Sequence, residues 1–286
     1  MIKNSNNHSI ELKDGRRLGY AEFGDRDGKP LFFFHGWPSS RLHGQRFEEA
    51  ARKLKVRIIS LDRPGFGLSD YKKDRTLLDF PKDVLELADY LKITKFAILG
   101  VSGGGPYAAS CAYSIPQRIA KAGIMVGLGP TNIKGNLDGI GLVNKFGWAN
   151  YHKFPLLRYI SSFLGWFETK FLKTNLYSLF ISRSDKLLTT DSFKELTYMS
   201  RLEAFKQGFK AAALDLKLYT DNWGFDLKKI KVPVLLWFGD SDKSVSVNMG
   251  KYFASQIPNS KLTIYHKEGH YLHVNHAEQI LKQLTQ

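Results

Sequence analysis

Three kinds of side chain, spread along the sequence, could together cleave a carboxylic acyl bond. Ser102 lies in the pattern GVSGG at residues 100–104. Two later stretches carry Asp240 and Asp242 and then His270. A serine hydroxyl is a weak nucleophile at neutral pH, so it needs a base within hydrogen-bond reach, and the base needs a carboxylate that fixes its tautomer. The chain carries these groups in the order serine, aspartate, histidine.

The residues around Ser102 predict a strand that turns sharply into a helix. Lys95 to Leu99 is a short apolar run, which is typical of a buried strand. Pro106 begins an alanine-rich run, which is typical of a helix with proline in its first turn. The glycines on either side of the serine give the two backbones room to pass. We therefore expect Ser102 at the exposed apex of this turn, with a glycine-rich phosphate loop as the alternative.

The remainder of the first half alternates between strands and helices. Apolar runs end just before His35, Asp62 and Gly127, and helical patterns separate them, one of them over residues 45–54 after a loop over 39–44. This alternation predicts an α/β fold with a mostly parallel sheet. Ligands bind at the carboxyl ends of the strands in such sheets, so we expect the functional residues to meet at that edge. The alternation resumes at residue 232 and ends in a helix over 277–284.

Residues 131–222 have a different character, with aromatic-rich helical segments in place of alternating strands and helices. The apolar spacing predicts helix over Ser192 to Tyr219. We expect most of the aromatic side chains of this segment to form its own packing core and only some to line a substrate pocket. The predicted domains are an α/β core over residues 1–130 and 223–286 and a helical cap inserted over 131–222.

The composition limits the compartment and the class of protein. The chain has 286 residues, 43% of them hydrophobic, which is enough for one large domain. Its single cysteine, Cys111, excludes an intramolecular disulfide and is expected to be a packed thiol. The N-terminal residues have no apolar run of the kind found in secretory signals, so we expect a cytoplasmic protein without integral membrane association.

The formal net charge of +15 raises the question of nucleic-acid binding. Lysine and arginine are scattered along the whole chain among acidic residues, and neither a basic run nor a known nucleic-acid motif stands out. We therefore interpret the charge as general basicity and expect no nucleic-acid partner.

Several motifs together resemble the α/β-hydrolase fold superfamily, in particular its capped serine hydrolases with an HGxP loop and a GxSxG nucleophile turn. The resemblance covers nearly the whole chain outside residues 131–222, and it rests on five motifs in the right order. They are HGWP at 35–38, DRPGFGLS at 62–69, GVSGG at 100–104, GDSD at 239–242 and GH at 269–270. The fold that this resemblance implies is an eight-stranded, mostly parallel sheet flanked by helices.

The resemblance also implies roles for individual residues. Ser102 matches the nucleophile, His270 the base, and Asp242 the acid, because the family's acid is the fourth residue of the GDSD pattern; Asp240 is the less favoured alternative. The backbone N–H groups of Trp37 and Gly103 match the oxyanion hole. A serine nucleophile favours cleavage of an ester or related acyl bond without a metal or organic cofactor, on a small-molecule substrate with an apolar group.

Other functions remain open on the sequence. Glu168 or Glu203 could bind a substrate amine in an enzyme of the proline-iminopeptidase type. Hydrolysis of C–C bonds, perhydrolysis and a receptor role with slow or no hydrolysis share the same residues. A metal site is conceivable where histidines cluster around His270 together with a glutamate, but the spacing does not favour it. These residues are His266, Glu268, His273 and His276.

Overall fold

The computed structural model describes residues 7–173 and 181–286, and within them eight strands form one sheet. The strands are β1 His8–Glu11, β2 Arg17–Gly24, β3 Lys29–Phe34, β4 Val56–Leu61, β5 Phe96–Val101, β6 Ile119–Met125, β7 Val234–Gly239 and β8 Ser260–Tyr265. Their order across the sheet is β1-β2-β4-β3-β5-β6-β7-β8. The pairs β1–β2 and β2–β4 are antiparallel, and the others are parallel. The prediction of an α/β fold with a mostly parallel sheet is confirmed.

The central strand β3 is buried on both faces. Phe32 and Phe34 pack into the hydrophobic cluster on one side of the sheet, whereas Phe33 packs into the cluster on the other side. Successive side chains of a strand point to opposite faces, so a run of three phenylalanines needs helices on both sides.

Helices supply this cover. The α-helices in the described residues are α1 Glu48–Lys53, α2 Phe80–Tyr90, α3 Gly105–Ser114, α4 Leu142–Asn150, α5 Pro155–Phe167, α6 Arg183–Leu187, α7 Asp191–Ala204, α8 Lys210–Thr220, α9 Val247–Gln256 and α10 His273–Thr285. Residues of α2, α3 and α9 belong to the cluster on one face of the sheet, and residues of α1 and α10 to the cluster on the other. Strand β5 and helix α3 thus lie at the centre of the molecule.

Three predicted elements differ from the structure. The loop predicted over 39–44 and the start of the helix predicted over 45–54 form a 3-10 helix, Arg41–Phe47, which Ser40 caps by accepting the N–H of Leu42. The continuous helix predicted over Ser192 to Tyr219 is two helices, α7 and α8. The chain turns between them at Gly208, whose φ of +93° is a conformation that glycine adopts easily and other residues rarely adopt. Helix α10 begins at His273, four residues earlier than predicted.

Helices α4 to α8 lie between β6 and β7 in the sequence. The expectation that most of the aromatic side chains here form a packing core is wrong for residues 142–173, whereas Phe205 and Tyr219 further along the segment are buried. Between residues 142 and 173, three aromatic side chains are half-buried, namely Trp148, Tyr151 and Trp166. Six are exposed, namely Phe146, Phe154, Tyr159, Phe163, Phe167 and Phe171. The reason is that α5 turns polar side chains such as Arg158 and Ser162 towards the protein and apolar ones towards solvent.

Candidate active site

Ser102 lies at the sharp turn between β5 and α3. The strand ends at Val101, a single turn of 3-10 helix covers Ser102–Gly104, and α3 begins at Gly105. The φ of Ser102 is +54°, a left-handed conformation that is costly for a residue with a side chain. Ser102 is half-buried, so solvent or a ligand can reach it. The turn therefore holds the hydroxyl at the carboxyl edge of the sheet, beside the positive end of a helix.

Two glycines make this turn possible. A Cβ at Gly100 would lie 2.3 Å from the carbonyl oxygen of Gly104. A Cβ at Gly104 would lie 2.1 Å from the carbonyl oxygen of Phe34 on the neighbouring strand. Neither position has space for a side chain, so the GxSxG spacing follows from backbone packing.

His270 and Asp242 form a hydrogen-bonded pair at the same edge of the sheet. The Nδ1 of His270 lies 2.7 Å from Oδ2 of Asp242. The other carboxylate oxygen accepts the backbone N–H groups of Ser244 and Val245, at 2.7 and 3.1 Å. Because the carboxylate accepts from Nδ1–H, the imidazole is held with Nε2 free to accept a proton.

Burial and neighbouring charge act in opposite directions on His270. Burial alone lowers the pKa of its imidazole, but the charge and hydrogen bond of Asp242, together with the charge of Asp185, raise this pKa above its ordinary value. The Asp185 carboxylate also accepts the backbone N–H of Tyr271 at 2.9 Å. Sequence reasoning missed Asp185, which ties the turn that carries His270 to the helical segment.

Asp240, the alternative acid, has other partners. Its carboxylate lies 2.5 Å from Nδ1 of His266 and accepts the backbone N–H of Lys267 at 2.8 Å. Of the two candidate carboxylates, the structure thus brings Asp242 to His270 and directs Asp240 to the neighbouring surface.

The loop of Trp37 lies against the Ser102 turn. A Cβ at Gly103 would lie 2.9 Å from the Cβ of Trp37, and one at Gly36 would lie 3.5 Å from the Cβ of Ser102. The Trp37 indole donates to the carbonyl oxygen of Ala212 at 3.0 Å, which anchors the side chain to α8. The structure thus brings together both residues expected to supply oxyanion-hole N–H groups.

A buried polar cluster beneath this loop is the main feature that sequence reasoning missed. Its members are fully buried or nearly so and converge on one carboxylate, Asp215. They are Arg63, Arg75, Tyr107, Asp215 and Tyr219. With two guanidinium groups and one carboxylate, the cluster carries a net positive charge. The only signal in the sequence was the pair Asp215 and Tyr219, four residues apart in a stretch whose other residues, apart from Lys217, are apolar.

Arg63 connects this cluster to the loop. Its guanidinium donates to the carbonyl oxygens of His35 and Gly36, the latter at 3.1 Å. The Nδ1 of His35 also lies 2.8 Å from the oxygen of Gly36. Burial and the charge of Arg63 hold the pKa of His35 well below its usual range, so this imidazole is neutral. Two donors therefore fix the peptide group whose N–H belongs to Trp37.

The remaining histidines have partners of their own. Nε2 of His276 lies 2.7 Å from Glu268, and Nε2 of His273 lies 3.1 Å from the guanidinium of Arg46. No group of three residues in ranges 7–173 and 181–286 has the arrangement of a metal site. Cys111 is buried, and burial raises the pKa of its thiol well above the ordinary value, as expected for a packed residue.

The two glutamates considered for amine binding are neutralised by arginines. Glu168 is buried and lies 3.1 Å from Arg201. Glu203 accepts from Arg41 at 2.8 Å and lies 3.5 Å from Lys206. Neither carboxylate is therefore an uncompensated charge for a substrate amine.

Comparisons with known proteins agree with this fold. The family model described as alpha/beta hydrolase fold matches residues 29–277. The bifunctional esterase/perhydrolase DCH of Acinetobacter calcoaceticus is 28% identical over 290 residues, covering 96% of this chain and 97% of the relative. The non-heme chloroperoxidase CPO-A1 of Kitasatospora aureofaciens is 28% identical over 266 residues, covering 90% of each chain.

A solved structure extends the agreement to three dimensions. The esterase of Exiguobacterium antarcticum matches with a TM-score of 0.71 over 96% of this chain and 97% of that chain, at 18% sequence identity. This likeness concerns the fold. Because the family model covers most of the sequence and the sheet has the expected topology, the chain belongs to the α/β-hydrolase fold family.

Proposed function

We propose that this chain is a serine hydrolase that cleaves a carboxylic ester or a related acyl bond through an acyl-enzyme on Ser102. One observation carries the proposal. The strained Ser102 turn and the hydrogen-bonded pair of His270 and Asp242 lie at the carboxyl edge of one sheet. This combination supplies a half-buried hydroxyl that solvent or a ligand can reach, a base of defined tautomer and a carboxylate that stabilises its protonated form.

In the proposed mechanism, Nε2 of His270 takes the hydroxyl proton as Oγ of Ser102 attacks the substrate carbonyl carbon. The same proton passes to the leaving oxygen, so the alcohol departs as the bond to the acyl carbon breaks. Water then attacks the acyl-enzyme, again giving a proton to His270, and the carboxylic acid is released with Ser102 restored. No step of this proposed reaction uses a metal or an organic cofactor.

The oxyanion that forms at each attack is assigned to the backbone N–H groups of Trp37 and Gly103. Support comes from the close approach of these two residues and from the hydrogen bonds of Arg63 to the loop carbonyls. Arg63 is proposed as a positioning residue, since it acts on the substrate only through the Gly36–Trp37 peptide.

We also propose that residues 131–222 act as a cap over the core formed by 1–130 and 223–286. Trp37, Trp166 and Phe209 pack against one small hydrophobic cluster, which joins this segment to the oxyanion loop. An apolar cluster against the Trp37 side chain favours substrates with an apolar acyl or aryl group, in line with a carboxylesterase-like activity.

Perhydrolysis is the second candidate, because one similar relative is a bifunctional esterase/perhydrolase. In that reaction hydrogen peroxide takes the place of water at the acyl-enzyme and the product is a peracid. The proline-iminopeptidase alternative is disfavoured, since Glu168 and Glu203 are paired with arginines.

Hydrolysis of p-nitrophenyl esters of increasing chain length tests the proposal. We expect turnover by the wild type and a loss of roughly 10⁶ in kcat for Ser102→Ala. Ser110→Ala is the matched control, because Ser110 is on the same strand–helix unit but donates to the carbonyl of Leu77, away from the site. Labelling by a fluorophosphonate gives a second readout. The wild type and Ser110→Ala should be labelled, and Ser102→Ala should not. Absence of both turnover and labelling in the wild type would refute the nucleophile.

A further inference from the structure

Helix α5 and the π-helical turn that follows it are amphipathic with the apolar side outward. Leu156, Ile160, Phe163, Leu164 and Phe171 are exposed, at spacings of three, four and seven residues that place them along one side of the helix. Leu156 has 70% and Leu164 57% of its surface exposed. We call the exposed apolar side chains of residues 156–172 the α5 face.

The opposite side of the same segment is polar and faces the protein. Arg158 is buried and donates to the carbonyl of Tyr151, and Ser162 and Thr169 are also buried. This side packs against α8. A helix in water normally buries its apolar side, so the reversed orientation indicates that something other than water meets the α5 face.

The exposed charges along the chain at both ends of the α5 face are lysines. Lys153, Lys170 and Lys173 are exposed at the two ends of the segment. Glu168 is the only acidic residue between 142 and 173, and it is buried and paired with Arg201. The exposed side chains of residues 142–173 are therefore mostly apolar residues and lysines, together with His152, which pairs with Asp221 at 2.8 Å, on a chain whose formal net charge is +15. An occupant of complementary chemistry combines an apolar layer with negative charge.

We propose that the α5 face docks on the surface of a bilayer that contains anionic lipid. In this arrangement α5 lies in the plane of the interface, its apolar side chains enter the acyl region, and the lysines reach the headgroups. Within the described residues no helix is long and apolar enough to cross a membrane, which fits a helix that lies on the surface. A second copy of this chain is a poorer occupant, because two faces that each carry lysines at both ends would repel each other.

The α5 face also adjoins the candidate active site. The ring of Phe163, on the α5 face, lies 5.5 Å from that of Phe209, which packs against the same cluster as Trp37. Docking would thus bring the oxyanion loop close to molecules dissolved in the lipid. The docking proposal does not depend on the reaction, because its test measures binding.

Co-sedimentation of the full chain with vesicles tests the proposal. The vesicles contain phosphatidylcholine alone, or phosphatidylcholine with phosphatidylserine in roughly a 3:1 ratio. We expect binding to the mixed vesicles and weaker binding to phosphatidylcholine alone. Leu164→Glu should weaken binding by about tenfold or more, since it puts a charge where an apolar side chain enters the lipid. Leu156→Glu is a second variant on the same side.

Tyr90→Glu is the matched control. Tyr90 is exposed to a similar extent, 63%, at the end of α2, and the substitution changes the net charge equally. Binding should stay within about twofold of wild type if the α5 face is the contact, because a single distant charge contributes little. Hydrolysis of a water-soluble ester measures the catalytic site separately in the same samples.

Three results would overturn the docking proposal. The first is the absence of binding by the wild type to the mixed vesicles. The second is an equal loss of binding in Leu164→Glu and Tyr90→Glu, which assigns the attraction to overall charge. The third is a dimer in analytical ultracentrifugation that Leu164→Glu dissociates and Tyr90→Glu does not, which makes a second copy the occupant.

Discussion

Replacing Arg63 with lysine tests whether hydrogen bonds from a buried guanidinium position the oxyanion loop. Arg63 donates to the carbonyl oxygens of His35 and Gly36 and also pairs with Asp215 at 2.9 Å. The carbonyl of Gly36 and the N–H of Trp37 belong to one peptide group, so a donor on the carbonyl fixes the direction of the N–H and polarises it. Lysine keeps the charge but presents it at one point, and it cannot reproduce the planar fork.

The loss of one oxyanion donor sets the upper limit of the effect, roughly 10² to 10³ in kcat. The remaining donor of His35 still restrains the Gly36 carbonyl in Arg63→Lys, at 2.8 Å. We therefore expect kcat for ester hydrolysis to fall by roughly 10 to 10², below the full loss of a donor. KM should change little, because the oxyanion exists only in the transition state and the intermediates that follow it.

Arg75→Lys is the control that separates positioning from stability. Arg75 is also buried and also pairs with Asp215, but its other partner is the hydroxyl of Tyr107 and not the loop. Each substitution removes one or two charge-assisted hydrogen bonds, worth about 1.5–3 kcal/mol apiece in the free energy of unfolding. Urea unfolding should therefore show comparable destabilisation in both variants, while kcat falls mainly in Arg63→Lys.

The assay is steady-state hydrolysis of a p-nitrophenyl ester at a temperature where both variants are folded by circular dichroism. If kcat falls by the same factor in Arg63→Lys and Arg75→Lys, and both variants have the same free energy of unfolding, Arg63 has only a structural role. A rise in KM with kcat unchanged would also contradict the reasoning, since it places the effect in the ground state.

The turn that carries Ser102 was predictable because its causes are local. A strand of apolar residues, two glycines with no space for a Cβ and a helix with an early proline all lie between residues 96 and 106. The residue types of this stretch are enough to indicate a strand–turn–helix unit with a side chain at its apex, although the close approach to Phe34 that requires Gly104 came only from the fold. The mostly parallel sheet followed from the same alternation of apolar runs, whereas the order of its strands came only from the structure.

The Arg63 cluster was not predictable because its causes are distant. Arg63 and Asp215 are 152 positions apart, and no periodic pattern relates them. The partner of a buried charge depends on which helix the fold brings over it, and that follows from the path of the chain between β6 and β7. The sequence offered only that a carboxylate stood within an apolar helix.

The error over the aromatic residues has a different cause. Hydrophobic periodicity indicates which side of a helix is apolar but not which side faces the protein. Tyr159, Phe163 and Phe167 lie in a helix, as the aromatic-rich helical pattern predicted, but the expectation of a packing core assumed that these side chains pointed inward. The buried Arg158 and Ser162 show the reverse orientation, which only the fold could reveal.

Two further predictions concern the acid and base of the candidate site. Asp242→Asn should lower kcat by roughly 10⁴, because an amide cannot hold the productive imidazole tautomer. Asp240→Asn, which alters an exposed pairing with His266 and a hydrogen bond from the backbone N–H of Lys267, should leave kcat within about twofold, so equal losses would reassign the acid. The second prediction is a pH profile. Burial lowers the pKa of His270, but Asp242 and Asp185 raise it overall above that of an ordinary histidine. The base must be unprotonated to accept the serine proton, so kcat/KM should fall as the pH drops through this raised pKa. Asp185→Asn removes one of the raising charges and should move the limb to lower pH, whereas Asp240→Asn should leave it in place. A limb that stays fixed in Asp185→Asn, or that lies below the pKa of an ordinary histidine in the wild type, would show that these carboxylates do not control the base.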